Sequence, residues 1–163
     1  KYADEILDPA QLMTRLDSDF FQVLLMGEFF TAFYAILDRK SGKFIYSNAA
    51  HPRPLLYDYE EGTITELDTD GFLLGVMESG INYEQQERKL KQKCRLVIYT
   101  DGVNEAANKD GNMYGDERVQ VRLLERASDT AENFLEALQD DLKKYTGSDV
   151  FEDDITVLVM DFK

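Results

Sequence analysis

Cysteine and histidine are nearly missing from this chain: Cys94 and His51 each stand alone in 163 residues. One cysteine excludes an internal disulfide, and one histidine leaves no Cys/His cluster of the kind that holds structural zinc. Both absences suit a reducing cytoplasm. Positive charge is also scarce. Eighteen Lys and Arg face 32 Asp and Glu, a net charge of −14, so the general field repels polyanions, and DNA, RNA and anionic membrane are poor partners. No apolar run approaches the ~20 residues that cross a bilayer. The longest, 29–37 and 96–99, end quickly in polar residues. No signal peptide and no initiator Met open the chain, and helix-like sequence begins soon after Lys1, as expected of a piece of a longer protein.

With 44% hydrophobic and 31% charged residues, the composition is that of one globular domain with a core of ordinary size, and a disordered tail or fibre is excluded. Asp8-Pro9 reads as an N-cap with proline in the first turn. Leu12, Leu16, Phe20 and Leu24 then recur four apart, which predicts an amphipathic helix over Pro9–Met26 closed by Gly27. Phe30–Leu37 and Lys43–Asn48 predict an antiparallel pair, and Pro54–Tyr57 with Thr63–Leu67 a second. Tyr83–Leu90 and Cys94–Tyr99 are further strands, the second nearly all apolar and so expected inside its sheet. A polar loop is expected from Asp101 to Gly115. Val119, Leu123 and Leu124 mark a short helix. Phe134, Leu135, Leu138, Leu142 and Tyr145 mark a longer one, with Asp129 and Glu132 as its capping box and Gly147 as its end. Ile155–Phe162 is the last strand. Without repeat, low-complexity tract or linker, this order predicts a single α+β domain, residues 1–163, built on antiparallel sheets.

Three segments stand apart from this plan. Tyr99-Thr100-Asp101-Gly102 leaves the most apolar strand and places Asp101 at its carboxyl end. An ordinary Asp-Gly turn is the other reading, and Asp70-Gly71 and Asp110-Gly111 show how common that pair is here. Glu152-Asp153-Asp154 sets three carboxylates before an apolar strand, a costly arrangement unless water or a cation neutralises them; a solvated acidic loop is the bland alternative. Taken together, two apolar strands, both expected to be central in their sheet and each carrying an Asp at one end, would converge carboxylate oxygens, which select Mg²⁺ or Mn²⁺ over zinc. A pair of such ions about 3.5–4 Å apart is the usual device for hydrolysing a phosphate ester. The third segment, Asn48-Ala49-Ala50-His51-Pro52-Arg53-Pro54, holds the only histidine. His51 reads as a turn cap bonded to backbone, or else as a general acid or phosphate contact; Arg53 as a phosphate contact stays open. Cys94 is read as a small core residue.

Asn48-Ala49-Ala50-His51-Pro52-Arg53-Pro54-Leu55-Leu56, Gly71-Phe72-Leu73-Leu74-Gly75, Tyr99-Thr100-Asp101-Gly102-Val103-Asn104-Glu105-Ala106 and Asp153-Asp154-Ile155-Thr156 resemble, in order and spacing, the bacterial SpoIIE/RsbU branch of the metal-dependent PPM protein phosphatases. The resemblance implies a β-sandwich flanked by helices. It also implies removal of phosphate from Ser or Thr of a regulatory protein of anti-anti-sigma type, with two Mn²⁺ or Mg²⁺ ions and a sensor domain upstream in the parent chain. Asp101 and Asp153 are similar to metal-binding aspartates of that family. Gly102 and Asp154 are implied to support those ligands or to join them, and Asn104 and Glu105 match polar residues after its Asp-Gly.

Two departures accompany the resemblance. The family's earlier Asp and its Asp-Gly-x-Gly-His-Gly-like segment are not in this sequence, so the chain is expected to be roughly the C-terminal three quarters of a full domain. Such a piece is expected to bind at most one cation weakly and to be inactive, and an unpaired sheet edge would invite a homodimer. Ala50 stands where the family usually has glycine. A non-catalytic partner-binding module on the same fold is the competing reading, and a plain structural domain the third.

Overall fold

The computed structural model describes residues 6–24, 27–77, 81–90 and 93–162. The chain forms two compact units, Lys1–His51 with Leu67–Lys91 and Pro52–Glu66 with Gln92–Lys163.

In the first unit, α1 (Pro9–Phe21) starts as expected, with Asp8 accepting a hydrogen bond from the Gln11 N–H at 3.0 Å and proline in the first turn. It ends earlier than the apolar spacing predicts. The Val23 and Leu24 N–H groups both converge on the Phe20 carbonyl, at 3.0 and 2.8 Å, which tightens and closes the last turn. Leu24 still keeps to the apolar stripe by packing against Gly75, whereas Met26 lies outside the described residues. β1 (Ala32–Asp38) and β2 (Lys43–Ala49) pair antiparallel, with Ala32 opposite Ala49 and Asp38 opposite Lys43. β5 (Gln86–Lys89) adds to the other side of β2, in the order β1-β2-β5. β5 is shorter than the predicted Tyr83–Leu90. Tyr83 is drawn out of the ladder because its N–H reaches Thr14 on α1 and its hydroxyl donates to the Leu73 carbonyl. Met13, Ala49, Leu74 and Tyr83 form the buried centre.

The second unit holds β3 (Leu55–Asp58), β4 (Thr63–Glu66), β6 (Cys94–Tyr99) and β7 (Val157–Phe162), antiparallel throughout in the order β4-β3-β6-β7. β6 is interior and nearly all buried, as its composition predicts. β7, expected to be central as well, lies at the edge of this sheet among the described residues. Three helices belong to this unit: α2 (Asp101–Asn104), α3 (Asp116–Glu125) and α4 (Ala131–Thr146). Val119 and Leu123 of α3 and Phe134, Leu138 and Leu142 of α4 bury against Leu55, Val97 and Tyr99 of the sheet. The cap of α4 is Thr130, which accepts from the Asn133 N–H at 3.2 Å, and not Asp129. Asp129 is already engaged: its carbonyl accepts from Arg95 and its carboxylate pairs with Arg126. Gly147, at φ 71°, closes α4 in the left-handed conformation that glycine adopts most cheaply.

Among the described residues, Arg95 is the one charged side chain that this unit's core encloses. It is 1% exposed and held by a two-pronged bond to Asp161, Nε to Oδ1 at 2.6 Å and Nη2 to Oδ2 at 2.9 Å. The Tyr59 and Phe134 rings lie 5.9 and 5.7 Å from its guanidinium carbon. Cys94 beside it is buried, and burial pushes its thiol up to about 11, so it serves as packing.

Candidate functional site

The antiparallel register of β6 and β7 places Tyr99 opposite Val157, so the carboxyl end of one strand meets the amino end of the other. Beyond the strands the two chains stay tied. The Thr100 N–H donates to the Thr156 carbonyl at 3.0 Å, the Thr156 N–H donates to Thr100 Oγ1 at 3.0 Å, and Thr100 Oγ1 donates to the Asp154 carbonyl at 3.2 Å. Asp101 and the segment Glu152–Asp154 therefore lie at the same end of one sheet.

The three Asp-Gly pairs, alike in sequence, differ in what their glycines do. Gly111 is a plain turn residue, at φ 79° with open space where a Cβ would be. At Gly71 a Cβ would collide with the Asn48 carbonyl. Gly102 needs glycine for another close approach: a Cβ there would lie 2.6 Å from the Asp154 carbonyl oxygen. The polar loop expected after Asp101 in fact begins with the single helical turn of α2, whose first residue is Asp101.

Asp101 and Asp153 are both exposed and form no ion pair among the described residues; each uses Oδ1 on the next residue's N–H, at 3.0 and 2.7 Å. Their second oxygens are thus open to a hard cation, and oxygen donors of this kind fit Mg²⁺ or Mn²⁺. Among the described residues no group of three or more His, Cys, Asp or Glu side chains is gathered closely enough to hold a metal ion. Asp154 contributes through its carbonyl, which fixes Thr100 and receives Gly102, while its side chain is exposed.

Asn104 of α2 is tied to Asp116, the first residue of α3. Asp116 Oδ1 accepts from Asn104 Nδ2 and from the Tyr99 hydroxyl, both at 2.9 Å. Burial, and then this bond to Asp116, push the Tyr99 hydroxyl far above its usual range, so it remains a donor. Arg53 Nη1 pairs with Glu66 Oε2 at 3.1 Å, and Glu66 Oε1 accepts from Gln120 at 2.6 Å.

His51 belongs to the first unit, at the end of β2. Asn48 clasps that turn with its side chain: Asn48 Oδ1 accepts the His51 N–H at 2.8 Å and Asn48 Nδ2 donates to the His51 carbonyl at 3.0 Å. Asn48 is itself 2% exposed and held by Thr69 Oγ1 at 2.8 Å. Between them Ala50 sits at φ 53°, the one described non-glycine residue in the left-handed region.

Sequence reasoning passed over Arg95, Asn48 as a clasp, and Asp17, a 2%-exposed carboxylate on α1 that accepts the Gly75 N–H at 2.8 Å. For Arg95 a signal existed. One charged residue interrupts each of two apolar strands, and the register sets Arg95 opposite Asp161.

The arrangement of two antiparallel sheets and helices is that of PP2C-type phosphatase domains. The SiaA-PP2C domain of Pseudomonas aeruginosa superposes with a TM-score of 0.80 at 23% identity, over 96% of this chain and 61% of that one. The Mn-presoaked phosphatase domain of SpoIIE from Bacillus subtilis gives 0.61 at 18% identity, over 81% and 56%. The chain matches the family Stage II sporulation protein E (SpoIIE) over residues 1–163 and belongs to it. In sequence it is 26% identical over 156 residues to phosphoserine phosphatase RsbU of Bacillus subtilis (strain 168), covering 94% of this chain and 45% of that protein. The chain thus spans less than half the length of this relative.

Proposed function

We propose that the chain is the C-terminal part of a metal-dependent protein phosphatase domain acting on phosphoserine or phosphothreonine of an anti-anti-sigma-type regulator in bacterial cytoplasmic signalling. The sensor domain upstream and a homodimer belong to the same proposal. Membership of the SpoIIE family supports this reading. The observation that carries it is the β6–β7 junction, where Gly102 against the Asp154 carbonyl keeps Asp101 and Asp153 at one end of the sheet. Among the described residues no helix is long and apolar enough to cross a membrane.

In this reading Asp101 and Asp153 hold Mn²⁺ or Mg²⁺ through the oxygens they do not spend on backbone. When bound, a pair of such ions supplies an activated water and neutralises charge at the attacked phosphorus. The Thr100–Thr156 bonds tie together the two segments that carry the aspartates. Arg53 offers a forked donor set for phosphate oxygens, and to use it fully it exchanges Glu66 for the substrate. The clasp of Asn48 on His51 steadies the turn that leads to Arg53.

The test is hydrolysis of a phosphoserine peptide with Mn²⁺ by a chain extended upstream to the length of its relatives. Turnover is expected there and is expected to vanish in Asp101→Asn and in Asp153→Asn. The 163-residue chain is expected to bind Mn²⁺ weakly and to hydrolyse nothing above background. Wild-type turnover in either variant at saturating Mn²⁺ excludes that residue as a ligand.

A further inference from the structure

A groove of about 370 Å³ in the second unit begins at Gly102 and Asp153 and runs between residues 105–109 and 146–152. Its size falls in the ~300–1,000 Å³ range of ligand sites. Each wall is braced by its own bonds. Asn108 Oδ1 accepts from the N–H groups of Asp110 and Asn112 at 3.0 and 2.9 Å, and the Asn108 N–H donates to the Asn112 carbonyl at 2.9 Å. Opposite, Ser148 Oγ accepts from the Val150 N–H at 3.0 Å and donates to its carbonyl at 2.9 Å. Such walls stand before any ligand arrives, which lowers the ordering cost of binding.

The chemistry changes along the groove. Three carboxylates, Glu105, Glu152 and Asp153, line the groove with Gly102, and a cation bound at that end would take up part of their charge. Val150 follows, held out by the Ser148 ring at 79% exposure, with half-buried Phe151 next to it. Lys109 is the only cationic residue among those lining the groove, and it crosses to the opposite wall: its Cε lies 3.0 Å from where a Cβ on Gly147 would sit. A metal-end acid patch, an apolar step and then one positive charge form a graded surface continuous with the candidate catalytic residues.

We infer that this groove takes the substrate chain beside its phosphorylated residue, seating an apolar side chain on Val150 and Phe151 and a carboxylate of the same segment at Lys109. The inference rests on the phosphatase reading and adds to it a substrate class: a phosphorylated segment with an apolar and then an acidic residue close to the phosphate.

Fluorescence anisotropy of the 163-residue chain with short labelled phosphoserine peptides and Mg²⁺ tests it. The peptides carry Leu then Asp on one side of the phosphoserine, in either direction, and a second set has Gly in place of Leu. Val150→Asp is expected to weaken binding of the better Leu peptide about tenfold, as loss of a buried apolar anchor does, and Lys109→Glu to weaken it less. The change from Leu to Gly is expected to cost wild type a similar factor and to cost Val150→Asp nothing. Leu-dependent binding that persists without Mg²⁺ supports the groove while counting against the metal reading. Equal binding of Leu and Gly peptides by wild type, or no binding of either, overturns the inference.

Discussion

Gly102 and Asp154 meet main chain to main chain, with room for a hydrogen but not for a Cβ, which would lie 2.6 Å from the Asp154 carbonyl oxygen. Gly102→Ala must therefore push the 152–156 segment away from α2. The expected cost is about 1–3 kcal/mol of stability, the usual range for overpacking. A fall in Mg²⁺ affinity larger than that in a control such as Gly111→Ala should accompany it. Urea unfolding with parallel calorimetric Mg²⁺ titration measures both.

Ala50 carries the opposite kind of strain, a Cβ at φ 53°. The left-handed conformation costs an L-residue roughly 1–2 kcal/mol, offset in part by the greater unfolded-state freedom of glycine. Ala50→Gly is expected to raise stability by about 0.5–1 kcal/mol, read from the urea midpoint at unchanged slope. No change would mean that the Asn48 clasp bears the strain without cost.

Asp161→Asn leaves the 1%-exposed Arg95 guanidinium without its counter-charge. Breaking a buried pair from one side costs about 3–5 kcal/mol, so a fall in melting temperature well beyond that of a surface substitution is expected. Replacing both partners, Arg95→Met with Asp161→Leu, is expected to recover most of the loss.

Asp141 links α4 to α3 and to the loop before it. Burial alone would raise its carboxyl, but the bonds from Tyr114 and Arg122 outweigh burial and hold it below the ordinary 3.8. With the folded value depressed, its contribution to stability is fully present above about pH 4 and is lost as pH falls through the folded value. Asp141→Asn is expected to be less stable than wild type at neutral pH and to show a shallower loss of stability in acid. Denaturant titrations at a series of pH values give both slopes.

Much of the fold was legible because each element carried a local reason. Asp8-Pro9 opens α1, Gly147 closes α4, and the apolar run Cys94–Tyr99 lies inside its sheet, as amphipathic spacing and cap chemistry predict. What escaped was decided by distant partners. β5 is short because Tyr83 is claimed by Thr14 of α1 and by the Leu73 carbonyl, and Thr130 caps α4 because Asp129 is taken up by Arg95 and Arg126. β7 reads as a central strand because it is apolar, yet composition cannot say on how many sides a strand has neighbours. At the candidate site, the placement of Asp101 and Asp153 at one end of the sheet followed from the pairing of their strands. The close approach that makes Gly102 different from Gly111 is invisible in a sequence where both read Asp-Gly.

The central claim is that Asp101 and Asp153 serve one cation together. Calorimetric titration of the 163-residue chain with Mg²⁺ and Mn²⁺, repeated on Asp101→Asn and Asp153→Asn, addresses it directly. One weak site in wild type, lost in both variants while each metal-free variant melts at or above the wild-type temperature for want of a repelling carboxylate, is the predicted result. Wild-type metal affinity retained in either variant would contradict the account.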